Sequence, residues 1–452
     1  MELRFHVLIY RETFLNYFPI HLTMKRDLFA EMILDFQERG VPEAVERDLE
    51  IEMVNGKATT IVGPRRAGKT YFLFTVMKNL MRNMEKTRIV YMDFEDDRLL
   101  PLTLDDMRTM MDVYYEIYPE NKSKKVYLFL DEVQNVPRWE LFVRRVMDKE
   151  NVQVFLTGSS SRLLSGEIAT ALRGRSITYH IFPFSFREFL RVRGIEVKKY
   201  LSSGDRARIM HGLNEYMRFG GFPEIVMSER EETKLRILKE YVDTMLMRDV
   251  VERYGIKNIR VLRILFNSLI SSFSSTFSVN RFSNRLRSQG IRISKNTLYE
   301  YMVYLEDAFG VFLIRRFSYS LMKVEQSLPK VYPIDVGYLR LYSTSFSANT
   351  GRLMETIVAL ELMRRKYSNP RIGIFYWKNG GEVDFVVKEG EKVRELIQVT
   401  YASGKDEIDK RELRAMERAA EELRCKRKTV ITWDYEEDGE VRFVPLWKWL
   451  LS

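Results

Sequence analysis

The sequence predicts an α/β chain of several domains: a phosphate-binding core, a basic helical module and a second α/β domain at the C-terminus. Three observations carry this. An apolar strand, a glycine-bearing loop and a helix follow one another in "ATTIVGPRRAGKTYFLFTVMKNLM". A second apolar run, "KKVYLFLDEVQNV", ends in two adjacent acids. A helix, three strands, a long charged helix and a further strand then close the chain in the order "GRLMETIVALELMRRKY", "RIGIFYWK", "GEVDFVVKE", "RELIQVTY", "KDEIDKRELRAMERAAEELRCKRK" and "KTVITWD".

Length and composition agree with this division. At 452 residues and 45% hydrophobic, the chain exceeds one ordinary core, and such a length favours roughly two to four domains. One cysteine, Cys425, excludes an internal disulfide, and His6, His21, His180 and His211 lack zinc-ligand spacing. A cytoplasmic setting is the simplest expectation. A formal charge of +10 favours a polyanionic partner, because each phosphate neutralised by Lys or Arg releases counterions. The opening "MELRFHVLIYRETFLNYFPIHLT" is interrupted by Arg4, His6, Arg11 and Glu12, too early for a membrane span or signal core. Met24 begins a more ordinary amphipathic run, so residues 1–23 read as an N-terminal extension, either native or the product of an upstream start.

In the first glycine loop, Gly63, Pro64, Arg65, Arg66, Ala67 and Gly68 bring backbone N–H groups around phosphates. Lys69 reaches the terminal phosphates, Thr70 offers its hydroxyl to Mg²⁺, and Tyr71 follows. ATP is the expected cofactor, with Mg²⁺. Asp131 and Glu132 divide the work of holding Mg²⁺ and polarising the attacking water, which argues for hydrolysis rather than nucleotide storage. The next strand, "NVQVFLTGSSS", places Ser159 or Thr157 to sense the γ-phosphate, the alternative being a plain turn. In "TALRGRSITYH", Arg175, with Arg173 second, is a candidate to complete a neighbouring subunit's site; a surface salt bridge is the competing reading. Glu95, Asp96 and Asp97 read as a solvated strand end.

The motifs "GPRRAGKT", "FLDEVQNVPRWE", "FLTGSSS", "LRGR", "PFSFREFL", "YMRFGGFPE" and "MLMRDVVERYGIKN" occur in one order along the chain. In this the chain resembles a prokaryotic, mainly archaeal family of AAA+-like P-loop ATPases from about Arg26 to the end. The resemblance implies an ASCE-type core, a helical lid and frequent homo-oligomers, hexameric or a multiple. Residues 24–190 then form the core and residues 191–258 the lid.

From Ile259 the apolar positions recur at helical spacing, and "SVNRFSNRLRSQGIRISKNTLYEYMVYLEDAFGVFLIRRFSYS" reads as helix, glycine turn, helix and strand. Ser294 can cap the second helix, whose apolar face is Leu298, Met302, Leu305 and Ala308. Residues 259–330 thus resemble a winged helix-turn-helix. The cations of this module include Lys330, and DNA is the expected partner. Arg281, Arg285 and Arg287 lie on the first helix, Lys295 and Asn296 open the second, and Arg315 and Arg316 sit on the wing. A protein-packing role is the alternative. These polar residues suit phosphates better than base edges.

The helix and strand order of residues 331–452 resembles a PD-(D/E)XK, restriction-endonuclease-like core. That resemblance puts Glu355, Asp384 and Gln398 on its metal-binding positions. Gln398 replaces an acid and Thr400 the usual lysine, leaving Lys378 and Lys388 as the nearest substitutes in sequence. Both a nuclease and a non-cutting platform remain open. Two readings of the chain follow: an oligomeric ATPase that remodels DNA, without membrane association, or a nucleotide-controlled scaffold whose later domains make protein contacts.

Overall fold

The computed structural model describes residues 24–158, 170–342 and 350–452. These divide into two compact units: the described residues up to Val62 with Lys69–Tyr179, and Gly63–Gly68 with His180–Ser452.

The first unit is built on five strands, β1 (Ala58–Val62), β2 (Ile89–Asp93), β3 (Val126–Asp131), β4 (Val152–Thr157) and β5 (Ser176–His180), in the order β2-β3-β4-β1-β5. β2, β3, β4 and β1 run parallel. Their runs are nearly uninterrupted in apolar residues, as "VYLFLD" shows, because helices cover both faces of such a sheet. Helices Lys69–Met81, Leu104–Ile117 and Trp139–Lys149 supply that cover. The Leu104–Ile117 helix starts at a capping box in which Thr103 and Asp106 satisfy each other's backbone N–H groups. Residues 24–39 are also helical, and Phe29 and Ile33 enter the same core.

In the second unit, helices Phe186–Val192, Ser203–Phe219, Pro223–Met227 and Glu231–Thr244 come first, the last running into a π-helix at Met245–Glu252. Helix Ile259–Ser271, β6 (Ser275–Thr276), helices Val279–Ser288 and Lys295–Asp307, β7 (Val311–Ile314) and β8 (Lys330–Pro333) follow. The three strands pair in the order β6-β8-β7. As expected, Ser294 caps the Lys295–Asp307 helix, accepting from Thr297 N–H at 3.0 Å. Helix Thr350–Ser368 then leads to β9 (Ile372–Lys378), β10 (Glu382–Glu389), β11 (Lys392–Val399), helix Lys410–Leu423, β12 (Lys428–Thr432) and β13 (Arg442–Pro445). Their sheet runs β13-β12-β11-β10-β9, antiparallel from β9 to β11 and parallel from β11 to β13.

The Gly-Gly-Phe-Pro motif has a packing reason. Gly220, at φ 77°, passes so close to Asp335 that an added Cβ would lie 1.6 Å from its Oδ1. Asp335 accepts from the N–H groups of Gly221 and Gly337, each at 2.8 Å. Only a residue without a side chain admits that approach.

Candidate functional site

In the first unit the parallel pairing brings the ends of β2, β3 and β4 level: Asp93 pairs with Asp131, and Thr157 lies opposite Ile61. Ligands of open α/β sheets gather at this edge. Asp131 is 2% exposed and lies within hydrogen-bonding reach of Thr70, at the start of the helix that follows the glycine loop in the chain. Tyr91 donates to Asp131 Oδ2 at 3.1 Å, and Thr157 Oγ1 donates to Oδ1. Burial holds the Asp131 carboxyl above its usual range, against the hydrogen bonds from Thr157 and Thr70. Asp93 is likewise pushed up by burial, to about 6. Glu132 takes the left-handed region at φ 50°; its N–H donates to Thr157 Oγ1 at 3.2 Å and its carboxylate accepts from Gln134. Lys69 is buried, whereas Tyr71 is 55% exposed and meets Phe74 edge-on. Thr157 therefore organises the acids themselves. Ser159 lies outside the described residues.

The loop Gly63–Gly68 groups with the second unit. A Cβ on Gly63 would fall 2.0 Å from the Ile181 carbonyl oxygen, so the first loop position admits only glycine. Arg66 adopts φ 64° and is exposed. Arg65 Nε donates to Asp249 Oδ1 at 2.8 Å, tying the loop to the Met245–Glu252 π-helix. Pro64 and Ala67 are buried.

Arg175 is far from the acid-bearing edge of its own sheet. Its carbonyl accepts from Ala58 N–H at 2.9 Å, at the start of β1, about 15 Å of strand from the end that carries the acids. Its guanidinium pairs with Asp148, and Arg173 is an exposed residue at φ 52°. Within one copy, Arg175 therefore lies at the opposite end of β1 from the edge that carries the acids.

In the second unit, Glu355, Asp384 and Gln398 come together, and a cation of the chain lies between them. Lys330 Nζ is 3.0 Å from Glu355 Oε1, 3.0 Å from Asp384 Oδ1 and 2.8 Å from Glu382 Oε1. Tyr332 O–H donates to Glu355 Oε1 at 2.7 Å, Val399 N–H to Asp384 Oδ2 at 3.0 Å, and Asp384 N–H to Gln398 Oε1 at 3.3 Å. Burial alone would favour the neutral amine, but the negative charge of Asp384 foremost outweighs it and holds the Lys330 ammonium well above the ordinary lysine range. Burial, then Asp384, pushes Glu355 up to about 7. Glu412, on the Lys410–Leu423 helix beside Thr400, is also raised to about 7 by burial and then by Asp384. Its Oε2 has no hydrogen-bond partner among the described residues.

Neither lysine expected as a substitute plays that part. Lys378 pairs with Glu382 at 2.9 Å, and the irregularity of β10 between Val383 and Val386, where Asp384 and Phe385 stand against Tyr376 alone, breaks the alternation that would have aligned Lys388 with Asp384. Lys330 itself, counted from sequence as one cation of the basic module, is 2% exposed. The sequence carried one signal for it: a lysine inside the apolar strand run "KVYPIDVGY". Tyr332, Glu382, Glu412 and Asp249 carried none.

On the two helices before β7 and the connection between them, Arg281, Arg285, Arg287, Arg292 and Lys295 are exposed and form no ion pair among the described residues. Asn296 is exposed beside them. A cleft of about 650 Å³ is lined by Ser283, Arg287, Arg292 and Ser294 among others. Arg315 instead lies 3.4 Å from Glu325, and Arg316 is exposed while its backbone bridges to Tyr376 of β9.

A parallel sheet whose strand ends bear paired acids, beside a helix opened by lysine and threonine after a glycine loop, defines a P-loop nucleotide-binding domain, and residues 55–190 match the AAA domain model. The chain belongs to the same family as MJ1544, an uncharacterized protein of Methanocaldococcus jannaschii, with which it is 39% identical over 441 residues, covering 95% of this chain and 96% of that protein. An uncharacterized protein of Haemophilus influenzae is 29% identical over 343 residues, 75% of this chain and 82% of that one. Residues 210–348 and 350–449 match two domains of unknown function, DUF8612 and DUF4143. Among solved structures, the Walker-type ATPase PABY2304 of Pyrococcus abyssi is similar at a TM-score of 0.40 and 14% identity, over 67% of this chain and 99% of that one. No helix among the described residues is long and apolar enough to cross a membrane.

Proposed function

We propose that the chain is an oligomeric AAA+ ATPase that hydrolyses ATP with Mg²⁺ and couples this to binding and remodelling DNA. The observation that carries the first part is the set Lys69, Thr70, Asp131 and Glu132, with Thr70 and Asp131 in hydrogen-bonding reach and Gln134 on the Glu132 carboxylate. One hydroxyl and one carboxylate suit Mg²⁺, which takes few protein ligands and fills its shell with water and phosphate oxygens. When bound there it would neutralise developing phosphate charge. Glu132 is the base that receives the proton of the attacking water, Lys69 offsets charge on the terminal phosphates, and Arg175 acts on a neighbouring copy.

DNA enters through the second unit. We read helices Ile259–Ser271, Val279–Ser288 and Lys295–Asp307 with the β6-β8-β7 sheet as a winged helix, and residues 331–452 as a restriction-endonuclease-like core. Support for DNA binding comes from five exposed cations without an ion pair among the described residues, four on two of those helices and Arg292 in the connection between them, which suit phosphate contacts without base reading. The second reading, a nucleotide-controlled scaffold, draws on Tyr319, Leu321 and Met322, which are 72%, 83% and 71% exposed in the β7–β8 connection and suit a protein surface.

Turnover measured with single-stranded, duplex and four-way DNA separates the two. The first reading expects DNA to raise turnover, Lys69→Ala to abolish it, and Glu132→Gln to retain ATP while slowing hydrolysis about 10²-fold or more. Turnover indifferent to every DNA, with a protein retained only by the ATP-loaded Glu132→Gln form, selects the scaffold.

A further inference from the structure

A restriction-endonuclease-like core implies a divalent metal ion on Glu355, Asp384 and Gln398, and the side chains present do not fit one. Each oxygen that would face the ion is already engaged, save Glu355 Oε2. Asp384 Oδ1 accepts from Lys330 and its Oδ2 from Val399 N–H. Glu355 Oε1 accepts from both Lys330 and Tyr332, and Gln398 Oε1 from Asp384 N–H. The ammonium stands 3.0 Å from one oxygen of each acid. A Mg²⁺ ion on the same oxygens would sit at about 2.1 Å from them and so against the ammonium itself.

The lysine is placed by regular structure rather than by a loose loop. It opens β8, the central strand of its sheet, and pairs with Ile314 on one side and Thr276 on the other. Alternation along β8 then gives Lys330 and Tyr332 the same face, and both side chains reach Glu355. All three ammonium hydrogens find a carboxylate, in Glu355, Asp384 and Glu382.

We propose that Lys330 is the resident cation of this acid cluster: the C-terminal core holds no metal ion there, and its acids instead fasten the β7–β8 hairpin to the C-terminal sheet. The inference rests on the restriction-endonuclease-like reading of residues 331–452 and is independent of whether the chain hydrolyses ATP or binds DNA. It also excludes metal-dependent cleavage at Asp384 while Lys330 stays in place.

The test is Mn²⁺ binding to the full chain, followed by electron paramagnetic resonance without nucleotide, in wild type, Asp384→Asn, Lys330→Met and the Lys330→Met/Asp384→Asn pair. Wild type and Asp384→Asn are expected to bind Mn²⁺ alike. Lys330→Met removes the charge while keeping a similar side-chain length, and is expected to bind Mn²⁺ about tenfold more tightly or better, with the gain lost in the double variant. Mn²⁺ should raise the melting temperature of Lys330→Met by more than that of wild type, and the difference should vanish in the double variant. A stoichiometric Mn²⁺ ion in wild type that Asp384→Asn abolishes overturns the proposal, and this comparison stands even where Lys330→Met does not fold. A folded Lys330→Met chain with wild-type stability and no Mn²⁺ gain overturns it as well.

Discussion

Asp335 illustrates how a single side chain can hold two distant motifs. Its carboxylate accepts from Gly221 and Gly337, and Gly220 leaves no space for any other residue beside it. Burial pushes the carboxyl up to about 6 in spite of those two donors. Asp335→Ala would leave two buried N–H groups without an acceptor, each costing about 1–3 kcal/mol, so chemical denaturation is expected to show a loss of about 2–6 kcal/mol. Gly220→Ala should be at least as damaging, since it adds a clash to a φ of 77°. Denaturation midpoints equal to wild type in both variants would show that this contact does not hold the unit together. The Gly-Gly-Phe-Pro motif was legible from the sequence, but its acceptor was not: Asp335 lies 114 residues from Gly221, and a single polar contact leaves no periodicity to read. Lys330 escaped for the same reason, 54 residues before Asp384, whereas Lys69, Thr70, Asp131 and Glu132 were legible because local strand, loop and helix signals surround them.

At the scale of elements, the helix Lys410–Leu423 and β10 and β11 were readable from their alternation and charge, and the cap at Ser294 from its residue type. What the helix turns inward was not. Its apolar stripe, Ala415, Met416, Ala419 and Leu423, seats it on the sheet, and that seating carries Glu412 to Thr400 and Asp384. The carboxyl is raised from 4.5 to about 7, by burial first and then by Asp384 and Asp409, against a hydrogen bond from Thr400. The folded chain therefore binds more protons than the unfolded one between those values, so this group's contribution is greatest in acid and is lost as pH rises through about 7. Glu412→Gln removes the titration. Melting temperatures of wild type and variant, compared from pH 4.5 to 7.5, should diverge with rising pH in favour of the variant. A constant gap across that range would mean that the carboxyl ionises in the folded chain as freely as in water. His180, half-buried beside Tyr367 and lowered by burial to about 4, acts in the opposite sense in both proteins and cancels from the comparison.

For the whole molecule, the charge of +10 pointed to a polyanion without saying which cations are available to it. Pairing decides that. Lys330 is spent on three carboxylates and Arg315 on Glu325, while Arg281, Arg285, Arg287, Arg292 and Lys295 stand exposed without an ion pair among the described residues. If these five meet phosphates, duplex binding should weaken linearly in a log–log plot against salt, with a slope of about −0.9 for each phosphate neutralised. Arg285→Ala/Arg287→Ala removes two such contacts, and should make the slope shallower by about 1.8 while lowering affinity nearly equally across duplex sequences. The ATPase machinery is untouched in this variant, so turnover without DNA should equal wild type, and only the DNA-dependent increment should fall. A slope unchanged from wild type would place the nucleic-acid surface elsewhere on the chain. A steep slope lost together with basal turnover would instead trace the effect to the fold rather than to phosphate contacts, which is why binding and hydrolysis need to be read on the same preparation.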